Sequence, residues 1–182
     1  SRLVAGNEVL LSMDKGYPKG KFYRVRQHNL RLVLRIMKAP VIQFPPDWDP
    51  LAGIKSAIDV FVGYLMLDAW IANQDRHHEN WAFLVTPGHE LVIRLAPTFD
   101  HASSLGWNEP DDAKSDSLKT KDRRRSIERY VERASSAFYT SGSKPIGTLE
   151  AFREAAAQTP EAAKAWLSRL ADIPDTSING VF

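Results

Sequence analysis

Asn73-Gln74-Asp75-Arg76-His77-His78-Glu79-Asn80 is the stretch on which the reading of this chain turns. It sets an Asp and an Asn five positions apart at the end of a long amphipathic segment. Upstream, Ile54, Ala57, Ile58, Phe61, Tyr64, Leu65 and Asp68 recur at helical spacing, and Val60, Leu67 and Ile71 widen the apolar face. That spacing predicts a largely buried helix over Ala52–Ile71, which delivers the chain directly into the motif. Downstream, Trp81–Val85 and Leu91–Leu95 read as two strands. Thr86-Pro87-Gly88-His89-Glu90 joins them as a hairpin loop of ordinary length. A second isolated carboxylate, Asp100, then follows in Pro97-Thr98-Phe99-Asp100.

Further out the pattern is weaker. Val9–Met13 and Lys21–Arg26 read as two short strands, or a strand and an extended arm, around the turn-like Asp14-Lys15-Gly16-Tyr17-Pro18-Lys19-Gly20. Leu30–Met37 is a helix or a strand, and periodicity does not decide between them. Phe44-Pro45-Pro46-Asp47-Trp48-Asp49-Pro50 is a rigid loop, because each proline fixes its own backbone angle and lacks an amide hydrogen. Asn108–Arg125 is polar and reads as a mobile loop. Helices are expected over about Arg124–Phe138, over Thr148–Ala157 with Thr148 as N-cap, and from Thr159-Pro160-Glu161 to about Ala171. The expected fold is mainly α with a small β-hairpin.

Two carboxylates and an amide in this order suit phosphoryl transfer, which demands positioning and charge neutralisation more than covalent work. Asp75 is placed to orient an acceptor hydroxyl and take its proton. Asn80 offers a neutral oxygen, and Asp100 a hard carboxylate oxygen, the ligand types magnesium prefers. The hairpin can bring Asp100 back beside Asn80 although twenty positions separate them. His77, His78 and His101 do not have the spacing of a transition-metal site, and a loop-shaping role suits them better. Arg76 is expected to pair with a carboxylate.

The motif at 73–80, followed by Leu95-Ala96-Pro97-Thr98-Phe99-Asp100-His101-Ala102-Ser103-Ser104-Leu105-Gly106, resembles the catalytic and metal-binding motifs of HipA-like serine/threonine kinases. Gly6-Asn7-Glu8 and Arg133-Ala134-Ser135-Ser136-Ala137-Phe138-Tyr139 resemble further stretches of that family. The resemblance implies a bilobal protein-kinase-like fold, ATP and magnesium as cofactors, and phosphorylation of protein hydroxyls. It makes Asp75 the catalytic Asp, and Asn80 and Asp100 the magnesium and nucleotide ligands. Some relatives are toxins neutralised by an antitoxin partner. The chain departs from the pattern in front: before residue 75 there is no glycine-rich loop, and no lysine follows a Val-Ala-Ile-like strand. The chain therefore reads as mainly the C-terminal lobe with the small lobe largely absent. On this division residues 1–50 are a hinge-like segment and the start of the lobe. Residues 51–182 are the lobe proper, with the catalytic loop at 73–80 and the metal-binding motif at 97–105. Such a chain is expected to be inactive alone.

Composition is compatible with this reading without naming a partner. With 182 residues, 43% hydrophobic and 25% charged, the chain can bury a core and is not a disordered polymer. A net charge of +2 points to no polyanion. The Lys/Arg-rich run from Lys114 to Arg133 is interleaved with Asp and Glu, which weakens any phosphate-tracking stripe, so nucleic acid is not the expected partner. The absence of cysteine excludes disulfides and fits a reducing, cytoplasmic setting. No apolar run approaches membrane-spanning length. Two other readings stand beside the protein kinase. Asp75-Arg76-His77-x-x-Asn80 also resembles the loop of phosphoinositide-kinase-like enzymes, and a lobe that has lost its nucleotide site would bind a partner without catalysis. Magnesium-dependent nucleotide binding separates the last from the other two.

Overall fold

The computed structural model describes residues 1–107 and 109–174. In chain order its elements are β1 (Arg2–Ala5), α1 (Gly6–Met13), α2 (Leu30–Met37), β2 (Ile42–Gln43), α3 (Ala57–Trp70), β3 (Ala82–Thr86) and β4 (Val92–Leu95), then α4 (Asp111–Lys119), α5 (Ile127–Arg133), α6 (Thr148–Ala156) and α7 (Pro160–Ala171). The architecture is mixed α/β rather than mainly α with a lone hairpin. The expected hairpin is present as β3 and β4, but it is the centre of a four-stranded sheet of order β1-β3-β4-β2. Strand β1 pairs antiparallel with β3, Ala5 opposite Ala82, and β2 pairs parallel with β4, Ile42 opposite Ile93. Both added strands come from the first fifty residues and are too short for an alternating pattern to mark them.

Helix α3 is buried nearly all round, so its apolar residues form no single stripe. It packs against α6 and α7 on one side and α2 on another. Leu10 of α1, and Val33, Leu34 and Met37 of α2, join the same core as Phe61, Leu65, Phe138, Phe152 and Ala163. The helix starts later than its sequence suggests because of Asp59. That carboxylate accepts hydrogen bonds from the Lys55 amide and the Ser56 hydroxyl, both at 2.9 Å, and so fixes Ser56 as the N-cap. Gly63 lies in the helix interior where a side chain would collide: a Cβ there would stand 2.4 Å from the Trp166 indole.

The front of the chain differs most from expectation. Val9–Met13 belongs to a helix, and the strand precedes it. Helix α1 is anchored where it begins, with the Gly6 amide donating to the Trp81 carbonyl at 2.9 Å and the Asn7 amide to the His78 carbonyl at 2.8 Å. Lys21–Arg26 alternates in sequence but forms no strand, because Arg24 sits at φ 56° and turns the backbone out of extension. Leu30–Met37 is helical, capped by the Asn29 side chain.

Corrections in the C-terminal half have local causes. The expected loop over 108–125 contains α4, which buries no side chain. Its first-turn Asp111 and Asp112 and last-turn Lys119 complement the helix dipole, and polarity alone hid it. Helix α5 stops at Arg133 instead of running to Phe138. Ala134 and Phe138 are buried as expected, but on an extended segment whose Ser136 amide and Phe138 carbonyl bond to Ile146. Gly147, not Thr148, is the N-cap of α6. Among the five tryptophans, Trp81 is buried and Trp48 and Trp166 pack against the core, whereas Trp70 and Trp107 are exposed. No helix among the described residues is long and apolar enough to cross a membrane.

Candidate active site

The site is built from the C-terminus of α3. Ile71 caps the helix, and Ala72 takes a left-handed conformation, φ 51°, at the position where helices usually place glycine. The turn brings the Asn73 amide back to the Asp68 carbonyl at 2.8 Å and the Asn73 side chain to Asp68 Oδ1 at 2.8 Å. Asn73 Oδ1 in turn accepts from the Asp75 amide at 3.2 Å. The backbone of the 73–80 loop is thus hung from one helical aspartate.

Arg76 fixes the other side. Its guanidinium makes two bonds to Asp68, Nε to Oδ2 at 2.8 Å and Nη2 to Oδ1 at 2.6 Å. Both side chains are almost fully buried. Nη1 donates to the Asn80 carbonyl at 2.8 Å and to the Phe99 carbonyl at 3.4 Å, and Nη2 to His101 Nε2 at 3.3 Å. One arginine therefore ties the end of the 73–80 loop to both neighbours of Asp100. The Thr98 hydroxyl is also 2.9 Å from His101 Nε2. With the Arg76 donor on that nitrogen, the ring proton lies on Nδ1, and burial and the Arg76 charge hold the His101 pKa below its usual value.

The three residues singled out in the sequence come together at this frame. Asn80 is buried, and its Nδ2 donates to the Asp75 carbonyl at 2.6 Å, which leaves its Oδ1 as the oxygen available to a cation. Asp100 is exposed, accepts no hydrogen bond among the described residues, and sits at φ 55°. A non-glycine residue held there costs about 1–3 kcal/mol, and such strain concentrates at functional sites. Asp75 is half-buried. Its Oδ2 is 3.5 Å from the Ser103 hydroxyl and its Oδ1 3.9 Å from His77 Nε2. Burial raises its pKa; the nearby Asp100 charge adds to the rise, and His77 and Ser103 oppose it. An amide oxygen and an unpaired carboxylate are a donor set that fits magnesium. Among the described residues no group of three or more His, Cys, Asp or Glu converges to hold a metal by itself.

Sequence reasoning expected a loop-shaping role for His101 but did not assign Asp68 or Asn73 a part in this frame. The available signal was Asp68 itself, a charged residue on the buried face of a helix eight positions before Arg76. In the long basic run, by contrast, four of the cations are paired locally. Lys114 pairs with Asp111, Arg125 with Asp116, Arg124 with Asp122 and Arg129 with Glu132.

A cleft of about 500 Å³ opens beside the loop. Asp75 and His77 line it, and Asn80 and Asp100 do not. Below the cleft lies a buried ring cluster. Trp81 Nε1 donates to His28 Nε2 at 3.1 Å, and His28 Nδ1 bonds the Ala137 carbonyl at 3.1 Å. Burial drives the His28 pKa down to about 3 and keeps the ring neutral, although the Ala137 bond opposes the shift.

No protein-family model and no curated protein matches this chain. Its fold is similar to the crystal structure of CtkA, a proinflammatory kinase of Helicobacter pylori. The TM-score is 0.55 at 18% identity, over 95% of this chain and 60% of that one. The fold is kinase-like, and the chain spans about 60% of the length of that kinase.

Proposed function

We propose that this chain is the catalytic lobe of a HipA-like serine/threonine protein kinase that transfers the γ-phosphoryl group of ATP to a protein hydroxyl. The observation that carries the reading is the Arg76–Asp68 frame, which holds Asp75, Asn80 and the neighbours of Asp100 in one constellation. In the reaction the acceptor oxygen bonds the γ-phosphorus and the bond to the bridging oxygen of ADP breaks. The hydroxyl proton passes to Asp75, whose ionised form the neighbouring groups orient. Asn80 Oδ1 and the Asp100 carboxylate are the oxygens that would hold magnesium, which when bound neutralises the nucleotide phosphates. The kinase-like fold supports the class of activity. The motifs at 73–80 and 97–105 support HipA-like kinases over lipid kinases, and an antitoxin partner belongs to the same proposal.

The shorter length relative to CtkA supports a further element of the reading: the phosphate-covering small lobe is supplied from outside these residues. The test is magnesium–ATP binding and transfer with the upstream lobe restored in cis or added as a separate chain. Asp75→Asn is expected to abolish transfer and largely spare nucleotide binding. Asp100→Ala is expected to weaken magnesium–nucleotide binding, because it removes a charged ligand. Equal loss of binding in both variants would refute the assigned roles. Magnesium-independent binding, or none with the lobe restored, would favour a non-catalytic partner-binding lobe.

A further inference from the structure

The cleft beside Asp75 has two walls of different character. One is the loop between α1 and α2, of which Phe22, Tyr23 and Arg24 line the opening. The other is the extended segment Ser135–Ala137 with Tyr139 and Pro145, and it is uncharged. The loop is strongly cationic. It carries Lys15, Lys19, Lys21, Arg24 and Arg26 against the single acid Asp14. None of these five cations is in an ion pair among the described residues, whereas four of the cations on α4, α5 and the turn between them each meet a carboxylate. Arg24 is exposed at the cleft and holds a left-handed backbone that disfavours a side chain of its kind.

A second observation concerns the lining and rim of the same cleft. His78 lines it and is 1% exposed. Its Nδ1 is 2.6 Å from the Tyr17 hydroxyl, while its Nε2 is buried and has no hydrogen-bond partner among the described residues. At the rim, Phe22 and Tyr23 are largely exposed, and Tyr23 stands edge-on to His77 at 6.1 Å between ring centres. They offer apolar purchase beside the cations.

We propose that this cleft is the acceptor site and takes an extended acidic protein segment, with its serine or threonine hydroxyl at Asp75, an acidic residue against Arg24 and Lys21, and an apolar residue on Phe22 and Tyr23. The assignment of the hydroxyl rests on the kinase reading above; the acidic preference rests on the loop. Asn80 and Asp100, where the nucleotide phosphates belong on that reading, do not line the cleft, which leaves the cleft to the acceptor. A nucleic acid fits less well. Its phosphates need cations along a track, and here the charge lies on one wall with neutral backbone opposite.

Fluorescence anisotropy on the chain, without nucleotide, tests the proposal. The probes are a labelled short peptide with one serine flanked by phenylalanine and glutamates, the same peptide with lysines for glutamates, and a single-stranded RNA of equal length. The acidic peptide is expected to bind at least about tenfold more tightly than the other two, and to weaken with salt. Lys21→Glu with Arg24→Glu is expected to cut that affinity about tenfold or more, while Lys119→Glu on α4 leaves it unchanged. Arg24→Gly separates binding from folding: it suits the left-handed backbone, so the melting temperature holds or rises while peptide affinity falls. RNA binding as tight as the acidic peptide, or affinity indifferent to both loop variants, overturns the proposal. Magnesium–ATP binding in the lobe-restored protein is read in parallel. Its presence without peptide binding removes the cleft assignment alone, and peptide binding without it removes the kinase reading alone.

Discussion

At the scale of single residues, Asp75 and Asp68 are opposite uses of one side chain. Asp68 is buried against Arg76 and satisfied; removing its carboxylate strands a buried guanidinium, so Asp68→Ala is expected to cost about 3–5 kcal/mol of stability in a denaturant melt. Asp75 is held with a raised pKa by burial and by Asp100. Its folded value lies above its unfolded one, so its stabilising contribution is present at low pH and is lost as pH rises through the folded value. At neutral pH the ionised carboxylate therefore opposes folding, and Asp75→Asn should raise the melting temperature while it ends transfer. A lower melting temperature for that variant at pH 7 would contradict the environment described. Asp75, Asn80 and Asp100 were singled out in the sequence by residue type and order, and their roles stand as part of the proposed function. Asp68 was not, because its role depends on a turn at Ala72 that no residue type announces: alanine stands where glycine would have marked it.

Ala72 and Gly63 set the expectations at the scale of elements. Ala72 ends α3 in a left-handed conformation, so Ala72→Gly is expected to be neutral or to stabilise by up to about 1 kcal/mol, contrary to the usual cost of glycine. Gly63 is the reverse case. Alanine is favoured over glycine in a helix interior by about 1 kcal/mol. Yet the new methyl would overlap the Trp166 indole, which is itself tied to the Asp59 carbonyl at 2.7 Å. Gly63→Ala is expected to lose about 1–3 kcal/mol and to loosen α7 from α3. Thermal melts of the two variants check both signs. Helix α3, the hairpin and α7 were legible because their burial or capping repeats at the proper period. Strand β1 and the end of α5 were not. The first is four residues long, and the second turns on a pairing with Ile146 that lies beyond any local window.

For the whole molecule, the buried histidines set the acid limit. His28 and His78 titrate at about 3 and about 4 in the folded chain, lowered by burial. Unfolded histidine takes its proton near pH 6.5. Their stabilising contribution is therefore complete above about pH 6.5 and is lost as pH falls toward 4, since only the unfolded chain is protonated in that window. The denaturant midpoint should fall between pH 7.5 and pH 4.5; a midpoint that holds steady would refute the neutral cluster. The proposal that the small lobe lies outside these residues bears on activity. We expect residues 1–182 alone to show weak ATP affinity and no autophosphorylation. Loss of even one oriented phosphate donor costs about 10²–10³ in rate elsewhere, and a loop and a lysine together should cost more. A radiolabel assay in which the purified chain phosphorylates efficiently by itself, and Asp75→Asn does not, would contradict this.

The pairing of β1 with β3 has a consequence in time. Arg2 lies opposite Val85, so β1 has no partner until some eighty further residues have been made after it. At a synthesis rate of about 5–20 residues per second, β1 waits roughly 4–16 s as an unpaired strand. During that interval α1 is also without its anchor, because the carbonyls of His78 and Trp81 that receive the Gly6 and Asn7 amides have not been made. The earlier-made segment is therefore ordered only after the later one, and its docking ties α1 to the carbonyls of His78 and Trp81. Nascent chains halted shortly before Val85 should leave Arg2–Met13 open to protease, and chains halted well beyond Leu95, once both hairpin strands have cleared the exit tunnel, should protect it.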